Sequence, residues 1–395
     1  MRHGLRRVAT DPDLRVAALS LLLFGALTAS VGVHQSLVAV EVMGLSDGAY
    51  ALLLFGASLV GVAASVAIGI LGDRRPLRRA LAMLTVGASL LGALVVWAWP
   101  APAPFALASL LLLPVGATVF GQVFALGRLV ASDLPPGARD AVMGTLRAVF
   151  ALPWLVVPPL WSLVLERGAS ILAVYPVAAA LALLHLLLVA RAWPRDARLP
   201  ATRSPEGRWT RALGEVAALP VMARVALVGA LHVAPALTGI VLGLVFAQAG
   251  RPASQVGLFF GAFVLVEIVV SLLLGRIARG RDRLAVIGAG AALYAAFHVL
   301  LPLLAPTPWV WALTLLAGAG GGLIFTLAIA YLQDLLAHRP GAGASLLAVQ
   351  GLASNGLTTL AYGAGTWAGG YAAAGALAAL VMLLALLTLL RLDRA

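Results

Sequence analysis

The sequence contains no cysteine and no lysine, and it carries few charges. The absence of cysteine excludes structural disulfides and thiolate metal sites. Charged residues make up 11% of the 395 positions, against about 25% in soluble domains. Hydrophobic residues make up 62%, against about 45–50% in soluble domains, and the mean hydropathy is +1.03. This composition indicates a polytopic membrane protein.

The absence of lysine bears on two glycine-rich segments, residues 318–322 and 363–370. Such segments can be mistaken for phosphate-binding loops, but that motif needs a preceding strand and a following lysine. We therefore interpret them as places where small residues let helices pack closely and bend. The sequence predicts no cofactor and no metal site.

Apolar runs of about 20 residues, bounded by proline, glycine and arginine, predict twelve membrane spans. They cover approximately residues 15–42, 48–71, 80–99, 104–131, 140–165, 170–191, 220–248, 254–278, 284–304, 308–336, 342–368 and 371–391. A polar segment interrupts the pattern after the sixth span. We therefore predict an N-terminal bundle of six helices over residues 1–193, a cytoplasmic linker over 194–219 and a C-terminal bundle over 220–395.

The distribution of arginine predicts the orientation. A net charge of +12 would suggest nucleic-acid binding in a soluble protein, but here the arginines lie at helix ends. With the N-terminus in the cytoplasm, all but four of the 27 basic residues fall in cytoplasmic segments. The exceptions are Arg167 and Arg251 on the other side and Arg128 and Arg147 within spans. The positive-inside rule therefore places both termini in the cytoplasm and removes the need for a nucleic-acid partner.

The two halves resemble each other weakly. The basic turn GILGDRRPLRRAL follows span 2, and GRIARGRDRLAV follows span 8, at the corresponding place in the second half. Two six-helix halves joined by a long central loop are typical of a secondary transporter built from repeats. The predicted fold class is therefore all-α and integral to the membrane, with two pseudo-symmetric bundles.

The turn between spans 2 and 3 resembles the signature of the major facilitator superfamily, which is approximately G-x-x-x-D-[RK]-x-G-x-[RK]-[RK]. The matching residues are Gly69, Asp73, Arg74, Arg78 and Arg79, and Pro76 stands in place of the second glycine. In that superfamily the turn holds the two halves together in the outward-open state. The resemblance therefore implies a gating role for Asp73, Arg74 and Arg78.

Within that superfamily, the chain is most similar to the bacterial sugar efflux transporter family. The resemblance is carried by GQVFALGRLVASD (121–133), LRAVFALPWLVVPPLW (146–161), GLFFGAFVLVEIVVSLLLG (257–275) and YLQDLLAHRPGAGASLL (331–347). It implies a monomer in the bacterial cytoplasmic (inner) membrane. The sequence departs from that family at one position. Leu129 follows Arg128, the arginine of span 4, whereas related sequences carry an acidic residue there. The local arginine–carboxylate pair of the family is therefore missing here, and the resemblance does not support a coupling role for it.

Glu267 is the leading candidate for a proton-coupling carboxylate. It lies about 20 Å from Ser254 and about 16 Å from Ala278, near the middle of a hydrocarbon layer about 30 Å thick. A buried carboxyl group takes up a proton more readily than an exposed one, and intramembrane acids are usually functional. The alternative is a Glu267 that stays protonated or paired and bonds a neighbouring helix.

The charged residues Arg147, Arg128 and Asp334 are also candidates. Arg147 lies about 12 Å along span 5 from Arg139, so we expect it to face a cavity and to have a partner. That partner is either Glu267 or a set of backbone carbonyls at a gate. Arg128 and Asp334 lie closer to their helix ends and are expected to act in gating.

A third set consists of neutral polar and aromatic residues within spans. Amides suit an uncharged polyhydroxylated substrate, and an indole suits a sugar ring. The alternative for each residue is a hydrogen bond between helices. The candidates for substrate binding are His34, Gln35, Gln122, Trp154, His232, Gln350 and Asn355.

The sequence thus predicts a proton-coupled exporter of sugars or sugar-like molecules that works by alternating access. Two alternatives have the same fold, namely a multidrug exporter, which needs a more aromatic cavity, and an importer. An intramembrane enzyme would need the carboxylate to converge with His34 and His232, but no HExxH or serine–histidine arrangement is present. We therefore expect the protein not to be an enzyme.

Overall fold

The computed structural model describes residues 2–195, 219–335 and 343–394, and this part of the chain is helical without strands. Contacts between residues divide the chain into two units. One comprises Met1–Gly44 and Gly56–Ser204, and the other comprises Leu45–Phe55 and Pro205–Ala395. Most of the predicted linker lies outside the described residues, so its boundaries stay a prediction.

Seven helices belong wholly or mainly to the first unit. They are α1 (Arg2–Thr10), α2 (Pro12–Gly32), α3 (Asp47–Arg74), α4 (Arg78–Ala98), α5 (Pro102–Val130), α6 (Pro136–Glu166) and α7 (Val174–Ala192). Helix α2 packs against α6 and α7, and α4 packs against α5 and α7. Short α- and π-helical turns extend α2 over Gln35–Leu37 and Val38–Val42, and a π-helical turn at Ala108–Leu112 interrupts α5.

Five helices make up most of the second unit. They are α8 (Leu219–Leu231 and Val233–Gln248, broken at His232), α9 (Ser254–Ile277), α10 (Arg283–Leu304), α11 (Leu313–Leu335) and α12 (Gly343–Arg394). Helix α11 packs against α9 and α10, and α12 packs against α8 and α10.

Helix ends follow the local sequence. Asp11 caps α2, because its Oδ1 accepts hydrogen bonds from the backbone N–H groups of Asp13 (3.0 Å) and Leu14 (3.2 Å). Asp282 caps α10 in the same way through Ala285 N–H, at 2.9 Å. Gly168 follows α6 with a φ of 85°, a conformation that glycine adopts without the cost that a side chain imposes.

Eleven helices among the described residues are long and apolar enough to cross a membrane. The prediction of twelve differs because α12 runs over 52 residues, about 78 Å at 1.5 Å per residue, which exceeds one crossing of about 30 Å. Its backbone is not helical at Gly369 or at Gly370, where φ is 73° and ψ is −160°. The predicted spans 342–368 and 371–391 lie on either side of this break.

Helix α1 is an element that the sequence analysis did not predict. It packs against α6 and α2, and its Gly4 backs directly onto Ala141 and Thr145 of α6. Val8 is its buried apolar contact. The polar N-terminal segment therefore covers the beginning of α6.

Candidate functional site

Glu267 is half-buried on α9, on the side that packs against α11. A methyl group at Gly318 would lie 2.5 Å from the Phe263 carbonyl oxygen, and one at Gly322 would lie 2.8 Å from that of Glu267. Only glycine therefore allows α11 to approach α9 this closely. The interpretation of residues 318–322 as a packing segment agrees with this geometry.

The carboxylate of Glu267 points towards a gap left by Gly321. A methyl group at Gly321 would lie 3.0 Å from Glu267 Oε2 and 3.5 Å from the ring of Tyr294 on α10. Within the part of the chain that the structure describes, the carboxylate makes no hydrogen bond or ion pair. A charged group in this position needs a proton, water or a cation to offset the cost of burial.

A buried polar cluster continues from Tyr294 to α8 within the second unit. Thr238 Oγ1 on α8 lies 3.3 Å from Tyr294 Oη and 3.2 Å from His298 Nε2, and that nitrogen lies 2.8 Å from the Ala234 carbonyl oxygen. The sequence analysis missed these residues. Tyr294 and His298 are spaced i, i+4 on α10, which is a usable signal, but nothing in the sequence links them to Thr238 on another helix.

Arg128 and Arg147 each follow a residue at which α5 and α6 meet in the first unit. A methyl group at Gly127 of α5 would lie 2.5 Å from Leu146 Cδ1 of α6, so these two residues meet. Arg128 and Arg147 follow them directly along the chain. The side chains of the two arginines therefore start at about the same height in the unit. Both side chains are exposed, and neither makes a hydrogen bond or ion pair within the described residues. The predicted pairing of Arg147 with Glu267 joins residues of different units and stays a prediction.

Four phenylalanine rings form an aromatic cluster, two of them within about one helical turn of Arg128 on α5 and of Arg147 on α6. The ring of Phe120 lies 4.7 Å from those of Phe124 and Phe150, and Phe24 lies 6.1 Å from Phe150 and 6.3 Å from Phe120. Phe24 is buried, whereas the other three are partly exposed. The sequence analysis did not predict this cluster, because its rings come from α2, α5 and α6 and meet only in the folded unit.

The neutral candidates of the first unit mostly bond neighbouring segments. Gln122 Nε2 donates to Thr85 Oγ1 of α4 at 3.1 Å, and Gln35 Nε2 donates to Ser109 Oγ at 3.4 Å. His34 is fully buried, with its Nδ1 3.0 Å from the Ser30 carbonyl oxygen. Trp154 is half-buried, and its ring lies 3.4 Å from the position of a methyl group at Gly32. These contacts match the alternative role, hydrogen bonding between helices, for the glutamines.

The second unit repeats this pattern. His232 lies at the break in α8, and its Nδ1 is 2.8 Å from the Val228 carbonyl oxygen and 3.2 Å from Gln350 Nε2 of α12. Asn355, also on α12, is exposed. Of the candidates in this unit, Asn355 therefore has the amide that is freest to meet a solute, and substrate contact by all seven neutral residues stays a prediction.

The predicted gating residues are only partly described. The side chains of Asp73, Arg74 and Asp334 lie outside the described residues. Arg78 is half-buried, and its neighbour Arg79 donates a hydrogen bond to the Ala190 carbonyl oxygen of α7. Arg79 thus fastens the start of α4 to α7.

A second carboxylate cluster, which the sequence analysis missed, lies at the start of α3. Asp47 Oδ1 accepts hydrogen bonds from Tyr362 Oη at 2.5 Å and from Tyr371 Oη at 3.1 Å. The Tyr50 ring packs edge-on against Tyr362, with centroids 5.9 Å apart. Asp47 belongs with α12 in the second unit, although most of α3 belongs to the first.

Comparison with known proteins gives a consistent result. A model of the Major Facilitator Superfamily matches residues 120–355. A proposed sugar efflux transporter of Deinococcus radiodurans is 30% identical over 361 residues, which cover 89% of this chain and 90% of that protein.

Two solved structures show the same fold. The nucleoside transporter NupG matches with a TM-score of 0.77 and 12% identity, over 98% of this chain and 100% of that one. A D-xylose–proton symporter matches with a TM-score of 0.64 and 18% identity, over 93% of this chain and 95% of that one. At these identities the likeness concerns the fold alone.

Proposed function

Because this chain belongs to the Major Facilitator Superfamily, it is a multi-pass membrane transporter and not an enzyme, and we propose that it exports small sugars or sugar-like molecules in exchange for protons. The name of the Deinococcus relative supports the sugar substrate and the direction. The proton coupling is supported chiefly by Glu267, a carboxylate near mid-span without a hydrogen bond or ion pair among the described residues. We place the protein in the bacterial cytoplasmic membrane as a monomer, with both termini inside.

In the proposed cycle, Glu267 takes up a proton while the site is open to the outside. Neutralising the carboxylate weakens its attraction for Arg147, the proposed cationic partner, and favours release of the substrate. Loss of the proton to the cytoplasm restores the charge and resets the transporter. Alternating access by the two repeats exposes the same site to each side in turn.

The other predicted residues take roles in this proposal. His34, Gln35, Gln122, Trp154, His232, Gln350 and Asn355 line the substrate path. Asp73, Arg74, Arg78, Arg128 and Asp334 act in gating at the cytoplasmic ends of the helices. The amides that already bond neighbouring helices must exchange those bonds for substrate hydroxyls, which costs little because each such bond contributes only about 0.6 kcal/mol.

Replacing Glu267 with glutamine tests the proton coupling. In proteoliposomes with an imposed pH gradient, we expect Glu267→Gln to lower concentrative uptake of labelled lactose or glucosides at least tenfold. The amide keeps the shape of the side chain but cannot release a proton. Counterflow, which needs no net proton movement, should persist in this variant and should lose its dependence on pH.

Glu41→Gln provides the matched control, because Glu41 is an exposed glutamate near the outer end of the first span. Its transport should equal that of the wild-type protein. Concentrative uptake that survives in Glu267→Gln would contradict the proposed mechanism. A chain that shows no counterflow with any sugar would contradict the sugar substrate itself.

The aromatic cluster of Phe24, Phe120, Phe124 and Phe150 favours a second candidate, a multidrug exporter. The adjacent Arg128 and Arg147 argue against its usual cationic substrates, because like charges repel most strongly where water is scarce. Binding of lipophilic cations without binding of sugars would support the multidrug exporter. Transport assays with the gradient in both directions separate an exporter from an importer.

A further inference from the structure

We propose that Arg128, Arg147 and the adjacent aromatic cluster form a binding site for a substrate that carries both an anionic group and an apolar ring. This inference rests on the proposed function and narrows its substrate class to acidic sugars with an apolar or aromatic substituent. A carboxylate and a phosphate ester have the same chemistry for this purpose, since a guanidinium group binds either with two parallel hydrogen bonds.

The first step is the position of the two arginines. They follow Gly127 and Leu146, which meet where α5 and α6 cross, so both guanidinium groups start from the same level of the unit. Arg147 is about 16 Å along α6 from Pro136, counting 1.5 Å per residue. One anion can therefore contact both side chains, because each arginine is long and exposed.

The second step is the charge balance. Neither arginine has a hydrogen bond or ion pair within the described residues, and the residue that follows Arg128 is the uncharged Leu129. Asp133, the next carboxylate along the chain, is exposed and accepts a hydrogen bond from Ser132 at 3.4 Å, and it forms no ion pair with Arg128. In the proposed cycle Glu267 pairs with Arg147, and the positive charge of Arg128 is then left for the substrate to balance.

The third step is the surface that surrounds the charges. Phe124 lies one helical turn from Arg128, and Phe150 lies one turn from Arg147. Phe120, whose ring joins the other two, is 36% exposed. Half-exposed rings beside a cation give an apolar surface on which a substrate ring can stack.

The fourth step separates this surface from the lipid-facing side of α6. Arg147 and Trp154 are seven residues apart and share one face of the helix. The exposed large apolar residues Leu152, Val156 and Leu160 follow one another at four-residue intervals on roughly the opposite face. The apolar face suits lipid, and the face with Arg147 suits a polar path.

The test is a binding assay on the purified full-length protein in uncharged detergent. The four ligands are phenyl β-glucuronide, phenyl β-glucoside, glucuronate and glucose, which vary the charge and the ring independently. We expect phenyl β-glucuronide to bind at least tenfold more tightly than each of the other three. Thermal stabilisation reports the affinity, because it grows with the ratio of ligand concentration to Kd.

The variants are Arg128→Gln and Arg147→Gln, with Arg167→Gln as the control. Arg167 is an exposed arginine just beyond the other end of α6. Each site variant should lower the affinity for phenyl β-glucuronide at least tenfold and should leave the affinity for phenyl β-glucoside within twofold of the wild-type value. The control variant should change neither affinity. Equal affinity for the charged and uncharged glycosides in the wild-type protein would overturn the proposal, as would arginine variants that bind phenyl β-glucuronide normally.

Anionic lipid is the other source of the same chemistry. Nanodiscs of phosphatidylcholine with and without phosphatidylglycerol distinguish it from a soluble substrate. Stabilisation by phosphatidylglycerol that both arginine variants abolish, together with no response to phenyl β-glucuronide, would overturn the substrate site in favour of a lipid contact.

A fifth ligand, phenyl phosphate, separates failure of this inference from failure of the proposed function. If no sugar binds but phenyl phosphate binds through Arg128 and Arg147, the anion site stands and the sugar function fails. If neutral sugars bind and are transported by counterflow, and charged glycosides bind no more tightly than uncharged ones, the sugar function stands and the anion site fails.

Discussion

Gly318 and Gly322 hold Glu267 in place more directly than any hydrogen bond among the described residues. They sit one helical turn apart on α11 and face the backbone of α9 on either side of the carboxylate. Gly321 between them leaves the gap that the carboxylate faces. The position of Glu267 therefore depends on the absence of side chains at these glycines, because any side chain there would push α9 and α11 apart.

We predict that Gly318→Ala lowers the free energy of unfolding by about 1–3 kcal/mol, the usual cost of overpacking a close contact. A methyl group there would lie 2.5 Å from both the Phe263 carbonyl oxygen and Val266 Cβ. Gly351→Ala on α12 is the matched control, since nothing lies within 4 Å of the added methyl. It should be neutral or raise stability by up to about 1 kcal/mol.

Thermal unfolding of both variants in one detergent measures the difference. Equal stability of the two would show that α9 and α11 do not depend on the glycine contact.

For single residues, the sequence identifies a candidate only where a charged side chain stands within an otherwise apolar span. Glu267 and Arg147 stand out because each is a charge within an apolar span. Thr238, Tyr294 and His298 are not visible in this way, since hydroxyl and imidazole groups are tolerated in spans and their proximity depends on how α8 packs beside α10. The same applies to the phenylalanine cluster, whose rings come from three helices.

The first turn of α3 is the element with the most specific attachment. Asp47 accepts hydrogen bonds from both Tyr362 and Tyr371, which lie before and after the break at Gly369 and Gly370. One carboxylate thus ties together the end of one predicted span and the beginning of the next. By the predicted orientation, this attachment lies at the outer side of the membrane.

We predict that Asp47→Ala lowers the free energy of unfolding by about 1–3 kcal/mol, because two buried tyrosine hydroxyls lose their shared acceptor. Asp47→Asn keeps one oxygen and should lose less. Asp133→Ala, which removes an exposed carboxylate, should be near neutral. If Asp47→Ala is as stable as Asp133→Ala in thermal unfolding, the two hydrogen bonds contribute nothing.

The elements themselves were largely predictable. Long apolar runs and their glycine, proline and arginine boundaries place most helices within a few residues of the observed ends. Helix α1 was missed because a polar, arginine-rich segment carries no hydropathy signal, although its Val8 is buried. The broken α12 agrees with two predicted spans because Gly369 and Gly370 interrupt its helical backbone.

On the scale of the whole molecule, the exposed side chains suit a lipid environment. Large apolar side chains are exposed on many helices, and several tryptophans are exposed at helix ends that the predicted topology places outside. In the first unit these are Trp97 and Trp99, and in the second they are Trp309 (72% exposed) and Trp367 (91% exposed). Tryptophan prefers the boundary between lipid and water, so under the predicted topology these residues lie at the outer interface.

The lack of native cysteine makes the topology easy to test. We predict that single cysteines at Ala169 and Gln248 react with a membrane-impermeant maleimide in intact cells, and that cysteines at Arg75 and Asp133 react only after the membrane is opened. The first pair lies in predicted outer turns and the second in predicted inner turns. The opposite labelling pattern would reverse the orientation.

The fold and the family were predicted from the sequence, and the superfamily match and the Deinococcus relative confirm both. The predicted sugar substrate stays a proposal, because a nucleoside transporter and a D-xylose symporter both share this fold, at 12% and 18% identity. Composition and span number constrain the scaffold, whereas the substrate depends on a few side chains whose contacts only three-dimensional packing defines.

The attachment of α3 also limits how the gene can be divided. Cutting the chain at its central polar segment would leave Asp47 on one fragment and its two tyrosines on the other. A C-terminal fragment made alone would carry Tyr362 and Tyr371 without their acceptor. Separate expression of the two fragments should therefore restore a working protein only where both are synthesised in the same cell.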